Sequence, residues 1–165
     1  MYKINKTRIA IIGMIGCVLM ASAQSKQLKT YSEDVNKVED EYGIMDCKET
    51  YTYYVDELGN YVRHGNYKLA GSNLVEDNSS WRRHYFKSNY NATATFKDGW
   101  LNGLLTVTMR SEFTTTDGGI AVTVDKLTAN YKDGIPHGAW KYARTFPKEN
   151  NRTGVAIAMN FNHGM

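Results

Sequence analysis

The chain has 165 residues, of which 42% are hydrophobic, with 20 Lys and Arg against 17 Asp and Glu. That length is enough for one domain with a hydrophobic core. The excess of positive charge comes from Lys3, Lys6 and Arg8, because residues 1–23 contain no acidic residue. Without that segment the charges balance at 17 against 17, so the net charge is no argument for nucleic acid or an anionic membrane as a partner, and we expect no nucleic acid.

Residues 1–23 have the pattern of a secretory signal peptide. The three cations precede an apolar run over 9–20, and a small-residue cleavage site at 21–23 places the cut between Ala23 and Gln24. The apolar run is about a dozen residues long, shorter than the ~20 that a membrane-spanning helix needs. We therefore expect export to the periplasm or to the extracellular space.

Two cysteines bear on the state of the exported product. A lipoprotein anchored through Cys17 is the alternative to cleavage, although apolar residues follow Cys17 where a polar tether is typical. Once residues 1–23 are removed, Cys47 is the single cysteine of the remaining 142 residues, so no intramolecular disulfide can form. We expect Cys47 to be a buried thiol, with an intermolecular disulfide or a nucleophilic role as the alternatives.

Residues 24–48 form a polar segment whose structure is predicted less clearly. Its apolar residues recur at steps of three and four, the spacing of one helical face: Leu28, Tyr31, Val35, Val38 and Tyr42. This spacing predicts a short helix starting near Ser32. A flexible leader is the alternative.

From Glu49 onward the hydrophobic period changes to two, which predicts β-strands in a domain over 49–165. Leu127, Ala129 and Tyr131, for example, alternate with polar neighbours. The fold class is therefore all-β, an antiparallel meander. The predicted strands are 50–57, 66–70, 81–96, 104–115, 120–131, 139–145 and 154–161.

The turns of this meander follow from Gly and Pro. Gly118-Gly119 predicts a two-residue hairpin, and Pro136 and Pro147 are placed between strands, where no ladder hydrogen bond is lost. Because successive turns of a meander alternate between the two edges, we expect loops 57–65, 97–103 and 132–138 to lie along one edge.

The glycines of these loops recur at regular spacing. Gly99 to Gly134 is 35 residues, as is Gly103 to Gly138, and Gly65 to Gly103 is 38. An aromatic residue precedes the later loops, at Phe96, Tyr131 and Phe161. The residues expected to shape the loops are Gly65, Asp98, Gly99, Gly103, Asp133, Gly134 and Gly138.

The segment NYKDGIPHGAWKYA at 130–143 resembles the unit of the MORN (membrane occupation and recognition nexus) repeat, and TFKDGWLNGLLTV at 95–107 resembles it less closely. The resemblance covers about residues 50–165 and identifies a divergent, bacterial, exported MORN variant. It implies a single elongated sheet of stacked hairpins that serves as a scaffold. The last repeat, ending in Asn-His-Gly, is expected to be incomplete.

No residue pattern predicts catalysis, a metal or a cofactor. His64, His137 and His163 occupy equivalent loop positions in units that stand apart, whereas metal ligands must converge on one ion. The Asp-Gly loops lack the Gly-Lys-Ser/Thr and the following helix of a phosphate-binding loop. Cys47 has only the loop histidines and His84 as candidate bases, so we predict a protein that is not an enzyme.

Aromatic residues are the candidate binding surface. Tyr53, Trp81, Tyr85 and Trp140 are predicted to present rings to a partner. The alternative is that these rings form the inner face and cross-strand pairs of the sheet.

The predicted function is an exported scaffold that binds an unknown protein or cell-surface component, with pairing through the edge strand 154–161 as a further mode. A carbohydrate-binding module is the alternative, and lipid or membrane-surface binding is the third reading.

Overall fold

The computed structural model describes residues 26–40, 43–77 and 84–162. Within these residues the chain forms nine β-strands and no helix, and all the strands belong to one antiparallel sheet. This confirms the predicted all-β meander. The strands are β1 (Lys29–Asp40), β2 (Gly43–Val55), β3 (Tyr61–Asp77), β4 (His84–Lys97), β5 (Trp100–Leu101), β6 (Gly103–Thr114), β7 (Ile120–Lys132), β8 (Ile135–Phe146) and β9 (Arg152–Phe161).

The strand order follows the chain. It runs β1-β2-β3-β4-β6-β7-β8-β9, and the two-residue β5 pairs with the end of β4. The β2–β3, β4–β5 and β7–β8 turns therefore lie along one edge of the sheet, as predicted. This edge is formed by the ends of the strands, and we call it the loop edge. The predicted signal peptide and its predicted cleavage site lie outside the described residues, as do Cys17, Trp81 and His163.

Residues 29–40 form β1, where the sequence indicated a short helix or a flexible leader. The apolar spacing wrongly predicted a helix because β1 contains a β-bulge between Asn36 and Val38. Val35 pairs with Cys47, and the extra residue in the bulge brings Val38 opposite Met45. A period of two with one inserted residue produces the same steps of three and four as a helix.

The sheet extends further than predicted at β2 and β3. β2 begins at Gly43 rather than at residue 50, and β3 covers Tyr61–Asp77 rather than 66–70. The predicted strand stopped at Ala70 because Gly71 and polar residues follow. In the structure Ser72 pairs with Asp46 on one side and Asn89 on the other, so ladder hydrogen bonding to both neighbours continues the strand.

The hydrophobic core lies on one face of the sheet, which we call the apolar face. Met45, Cys47, Leu69 and Ala92 are buried there, and directly opposed residues of neighbouring strands share a face. The opposite, polar face carries Thr, Lys and Asn side chains along the same strands. Partly buried residues packed against the core are Val35, Tyr67, Tyr90, Val107 and Met109.

The turn geometry agrees with a hairpin at each Asp-Gly pair and corrects the two-residue hairpin predicted at Gly118-Gly119. Asp98-Gly99 and Asp133-Gly134 have positive φ at both residues, as a two-residue type I′ hairpin requires. The segment at 115–119 is a longer turn, in which the Gly118 N–H donates to the Thr115 carbonyl and only Gly118 has positive φ.

Pro136 was predicted to lie between strands, but it lies within β8 opposite Tyr131. The two-residue turn at Asp133-Gly134 starts β8 earlier than the predicted residue 139. The β7–β8 register is irregular between Ala129 and Tyr131, and irregular pairing of this kind is where a strand tolerates proline.

Candidate functional site

The loop edge brings the predicted loop glycines opposite aromatic residues. Gly65 pairs with Phe96, Gly103 with Tyr131, and Gly138 with Phe161. All three glycines have positive φ. The same pairing thus occurs three times and places an aromatic ring next to each glycine on the apolar face.

Gly65 and Gly138 differ in the space available for a side chain, which predicts unequal costs of Gly65→Ala and Gly138→Ala. A Cβ at Gly65 (φ 92°) would lie 2.5 Å from Thr52 Oγ1, whereas a Cβ at Gly138 (φ 64°) meets nothing within 4 Å. Positive φ alone costs Ala roughly 1–2 kcal/mol. We expect Gly65→Ala to lower the free energy of unfolding by about 1 kcal/mol more than Gly138→Ala, measured by urea denaturation. Equal losses would contradict the close approach of Thr52.

Arg63 is the centre of an aromatic cluster on the apolar face. Its guanidinium carbon lies 4.6 Å from the centroid of the Tyr51 ring, 5.5 Å from that of Tyr67 and 5.7 Å from that of Phe96. Arg63 also forms a 3.1 Å ion pair with Glu49, whose side chain is only 4% exposed. Cation–π attraction and the buried carboxylate together fix the position of the guanidinium. We call Arg63, Glu49, Tyr51, Tyr67 and Phe96 the Arg63 cluster.

Burial and the Glu49 carboxylate raise the pKa of Tyr67 from its ordinary value of 10.0 to about 12. The folded protein therefore holds this proton more tightly than the unfolded chain. The stabilisation is complete below pH 10 and is lost as the pH rises towards 12. We expect Tyr67→Phe to make the free energy of unfolding fall less steeply over this range in urea titrations. If the free energy of unfolding of Tyr67→Phe fell as steeply with pH as that of the parent chain, the raised pKa of Tyr67 would be contradicted.

A row of tyrosines continues from the Arg63 cluster. The ring centroids of Tyr31 and Tyr51 are 4.9 Å apart, those of Tyr51 and Tyr53 are 6.1 Å apart, and those of Tyr53 and Tyr61 are 5.3 Å apart. Tyr61 is 75% exposed at the loop edge. We call Tyr31, Tyr51, Tyr53 and Tyr61 the tyrosine row.

The predicted surface aromatics do not form one site. Tyr53 belongs to the tyrosine row, whereas Trp140 lies between Tyr131 and Phe161, at centroid distances of 5.1 and 4.9 Å, in the other half of the sheet. The indole N–H of Trp140 donates to the Asn130 carbonyl at 2.9 Å. Both residues are half-buried in contacts with neighbouring aromatic rings.

Tyr85 is separated from both of these residues by its strand position. It precedes the buried Phe86 of β4, and successive strand residues point to opposite faces. Tyr85 therefore lies on the polar face. Only Tyr53 of the described candidates is close to a strongly exposed ring.

A polar cluster surrounds Asp98 on the loop edge. The carboxylate of Asp98 bonds to Lys26, and it accepts a hydrogen bond from the Tyr54 hydroxyl at 3.1 Å and lies 3.1 Å from Nδ1 of His64. The hydrogen bonds from Lys26, then Tyr54 and His64, lower the pKa of Asp98 to about 2. This cluster ties the N-terminal residues before β1 to the β4–β5 turn.

Adjacent loops are also joined through their backbones. The Gly99 N–H donates to the Arg63 carbonyl at 2.8 Å, and the Gly134 N–H donates to the Leu101 carbonyl at 2.8 Å. The Trp100 ring, although 64% exposed, lies against Gly134, where an added Cβ would be 2.6 Å from the ring. Backbone hydrogen bonds therefore connect neighbouring hairpins along the loop edge.

The predicted loop histidines do not converge. His64 contacts Asp98, while His137 lies two loops away, near the start of β8. Among residues 26–40, 43–77 and 84–162, no group of three His, Cys, Asp or Glu side chains could hold a metal ion.

Cys47 is buried in the core and forms no disulfide. It is seven residues along β2 from Tyr54, whose ring is 5.8 Å from that of His64. At ~3.3 Å per residue, Tyr54 lies about 23 Å from Cys47. His64, next to Tyr54, is therefore too far from the thiol to act as its general base.

A shallow hollow of about 500 Å³ lies on the apolar face, away from the loop edge. Phe86, Met109 and Phe113 form its apolar part, and Asp125 and Arg144 form its polar side. Arg144 makes two hydrogen bonds to Asp125, of 2.8 and 3.0 Å. Sequence reasoning missed this hollow because its lining comes from four strands that only the register brings together.

No family model, no curated protein and no solved structure matches this chain. In the described residues there is also no helix of sufficient length and apolarity to cross a membrane.

Proposed function

We propose that the chain is a non-enzymatic, exported, MORN-like repeat scaffold whose apolar face binds a protein partner. The observation that carries the proposal is the tyrosine row beside Arg63. Tyr and Arg are enriched at the energetic centres of protein interfaces. Here the rings are held by mutual contacts and by a buried ion pair, so little side-chain entropy remains to be lost on binding.

The recurring geometry of the loop edge supports the MORN-like part of the proposal. Two type I′ turns and three glycine–aromatic pairs place equivalent residues at equivalent points of successive hairpins. Units of this kind stack into an extended surface whose terminal units differ from the rest. The hollow near Phe113 adds a second point at which the same face could receive an apolar side chain.

The binding test compares two faces of the sheet. The purified chain is used to capture partners from an envelope extract of the source organism, and a captured protein is then purified and titrated. We expect Tyr53→Ser combined with Tyr61→Ser to raise the dissociation constant at least ~10-fold, because interface tyrosines commonly contribute about 2 kcal/mol to the binding free energy. Tyr85→Ser on the polar face is the matched control and should leave binding unchanged. A loss of affinity only in the control would overturn the choice of face.

Carbohydrate binding is the second candidate, favoured by the exposed rings of Tyr61 and Trp100 at the loop edge, which could stack on sugars. Against it, the rings of the tyrosine row are tilted by 34° to 62° to one another, which is not a flat platform. A glycan array with the purified chain separates the two functions. Binding lost in Trp100→Ala but kept in Tyr53→Ser would favour carbohydrate.

Lipid binding is the third reading, and the balanced charge of residues 24–165 gives it little electrostatic support. Sedimentation with anionic and neutral vesicles tests it directly. Sedimentation of the chain with anionic vesicles alone would favour this reading over the other two.

Export predicts a defined N-terminus for the product. N-terminal sequencing of the chain from an expressing cell should begin at Gln24. A product labelled by a fatty acid and starting at Cys17 would instead establish the lipoprotein alternative.

A further inference from the structure

The two outer strands of the sheet differ in how they are protected against pairing. β1 carries acidic and basic residues along its length and a bulge at Asn36/Val38, two devices that prevent edge-to-edge association. β9 carries no charged residue after Arg152. Among the described residues, no strand pairs with the outer side of β9.

β9 also exposes an apolar row. Val155, Ile157 and Met159 are 45%, 50% and 51% exposed, and they pair on their inner side with Arg144, Tyr142 and Trp140 of the apolar face. The pairing with β8 is regular from Val155 to Phe161. A regular, uncharged and apolar edge strand is a template for another strand.

We propose that β9 pairs antiparallel with β9 of a second copy of this chain, about a two-fold axis at Ile157. The sequence RTGVAIAMNF is self-complementary in this register: Val155 opposes Met159, Ile157 opposes itself, and Ala156 opposes Ala158. Large side chains therefore meet large ones on one face and alanines meet alanines on the other. An isologous contact of this kind closes as a dimer.

Two features favour a second copy of this chain as the partner of β9: the placement of charges and the alignment of the apolar faces. In this register Arg152 opposes Asn162, so the two arginines stand at opposite ends of the pairing and no like charges meet. Directly opposed residues share a face, so the apolar faces of the two copies become continuous. A register shifted by one residue would join the apolar face of one copy to the polar face of the other.

The first test is the mass of the chain in solution. The chain is expressed from the full sequence, purified as the cell processes it, and measured by sedimentation velocity over a range of concentrations. We expect a dimer, and we expect Ile157→Lys to be monomeric, because it places two ammonium groups directly opposite each other. Ser32→Lys on β1 is the matched control and should remain dimeric. A monomeric parent chain, or a dimeric Ile157→Lys, would overturn the proposal.

Cysteine cross-linking tests the register without depending on the lysine variant. Opposed residues of antiparallel strands have Cα atoms about 4.5–5.5 Å apart, within the reach of a disulfide. Ile157→Cys should therefore yield a disulfide-linked dimer. Val155→Cys should not, because its counterpart lies four residues along the partner strand, about 13 Å away. The parent chain, with buried Cys47, is the background. Efficient cross-linking of Val155→Cys but not of Ile157→Cys would reject this pairing.

This dimer is independent of the proposed partner-binding surface, because the tyrosine row lies on β1, β2 and β3 and β9 is at the other end of the strand order. Loss of the dimer with partner binding retained, or the reverse, identifies which of the two proposals has failed.

Discussion

Arg63→Met should lower the free energy of unfolding by about 3 kcal/mol, because it leaves the Glu49 carboxylate buried without its cation. The value is placed at the lower end of the range for broken buried pairs, since the Arg63 side chain is 39% exposed while that of Glu49 is 4% exposed. Met preserves much of the apolar contact with the surrounding rings. Urea denaturation of the purified variant measures the change.

The matched control is Arg110→Met, which breaks an ion pair with Glu112 on the polar face. The two side chains of that pair are 44% and 26% exposed, and exposed pairs contribute about 0–1 kcal/mol. The double variant Glu49→Gln with Arg63→Met should recover part of the loss, because it removes the uncompensated charge. Similar losses for Arg63→Met and Arg110→Met would contradict the burial of Glu49.

Gly71→Ala should be the other strongly destabilising change. A Cβ at Gly71 would lie 2.5 Å from the Asp46 carbonyl oxygen and 2.4 Å from Cys47 Sγ. The oxygen belongs to the β2–β3 ladder and can move only if that ladder is distorted. We expect a loss of about 2–3 kcal/mol, the upper part of the range for overpacking.

Gly154→Ala is the control for this prediction, because the three atoms nearest to its added Cβ all belong to the Phe146 ring, a side chain at the end of β8 that can turn without distorting a ladder. We expect it to cost less than about 1 kcal/mol. Gly71→Ala should also speed the reaction of Cys47 with a thiol reagent, which is slow for a buried thiol. Combining Cys47→Ala with Gly71→Ala should restore only part of the stability, since the contact with Asp46 remains. Full restoration would show that the thiol alone opposes the side chain.

Alternation of apolar and polar residues was sufficient to predict the class of the fold and the meander. The same signal failed at β1, because the bulge near Val38 changes the period at one point and imitates a helix. It also failed at the end of β3, where β4 alone supplies ladder partners to residues 73–77 and so continues the strand beyond Ser72. Both errors concern long-range pairing, which a local pattern does not contain.

The candidate surface was only partly accessible to sequence reasoning. Of the predicted residues, Tyr53 lies in the tyrosine row and Tyr85 lies on the other face, and the contribution of Arg63 was missed. A signal was present at Glu49, which occupies an apolar-face position between Cys47 and Tyr51. A buried acidic residue requires a cationic partner, yet only the irregular β2–β3 register, which places Arg63 opposite Tyr53, shows which cation it is.

On the proposed function, the partner binds the apolar face at the tyrosine row. Nitration of tyrosines, read by mass spectrometry with and without the purified partner, shows whether the partner covers these rings. We predict that the partner protects Tyr61 and Tyr53 from nitration and leaves the nitration of Tyr85 unchanged. Protection of Tyr85, with Tyr61 and Tyr53 as reactive as in the chain alone, would contradict it.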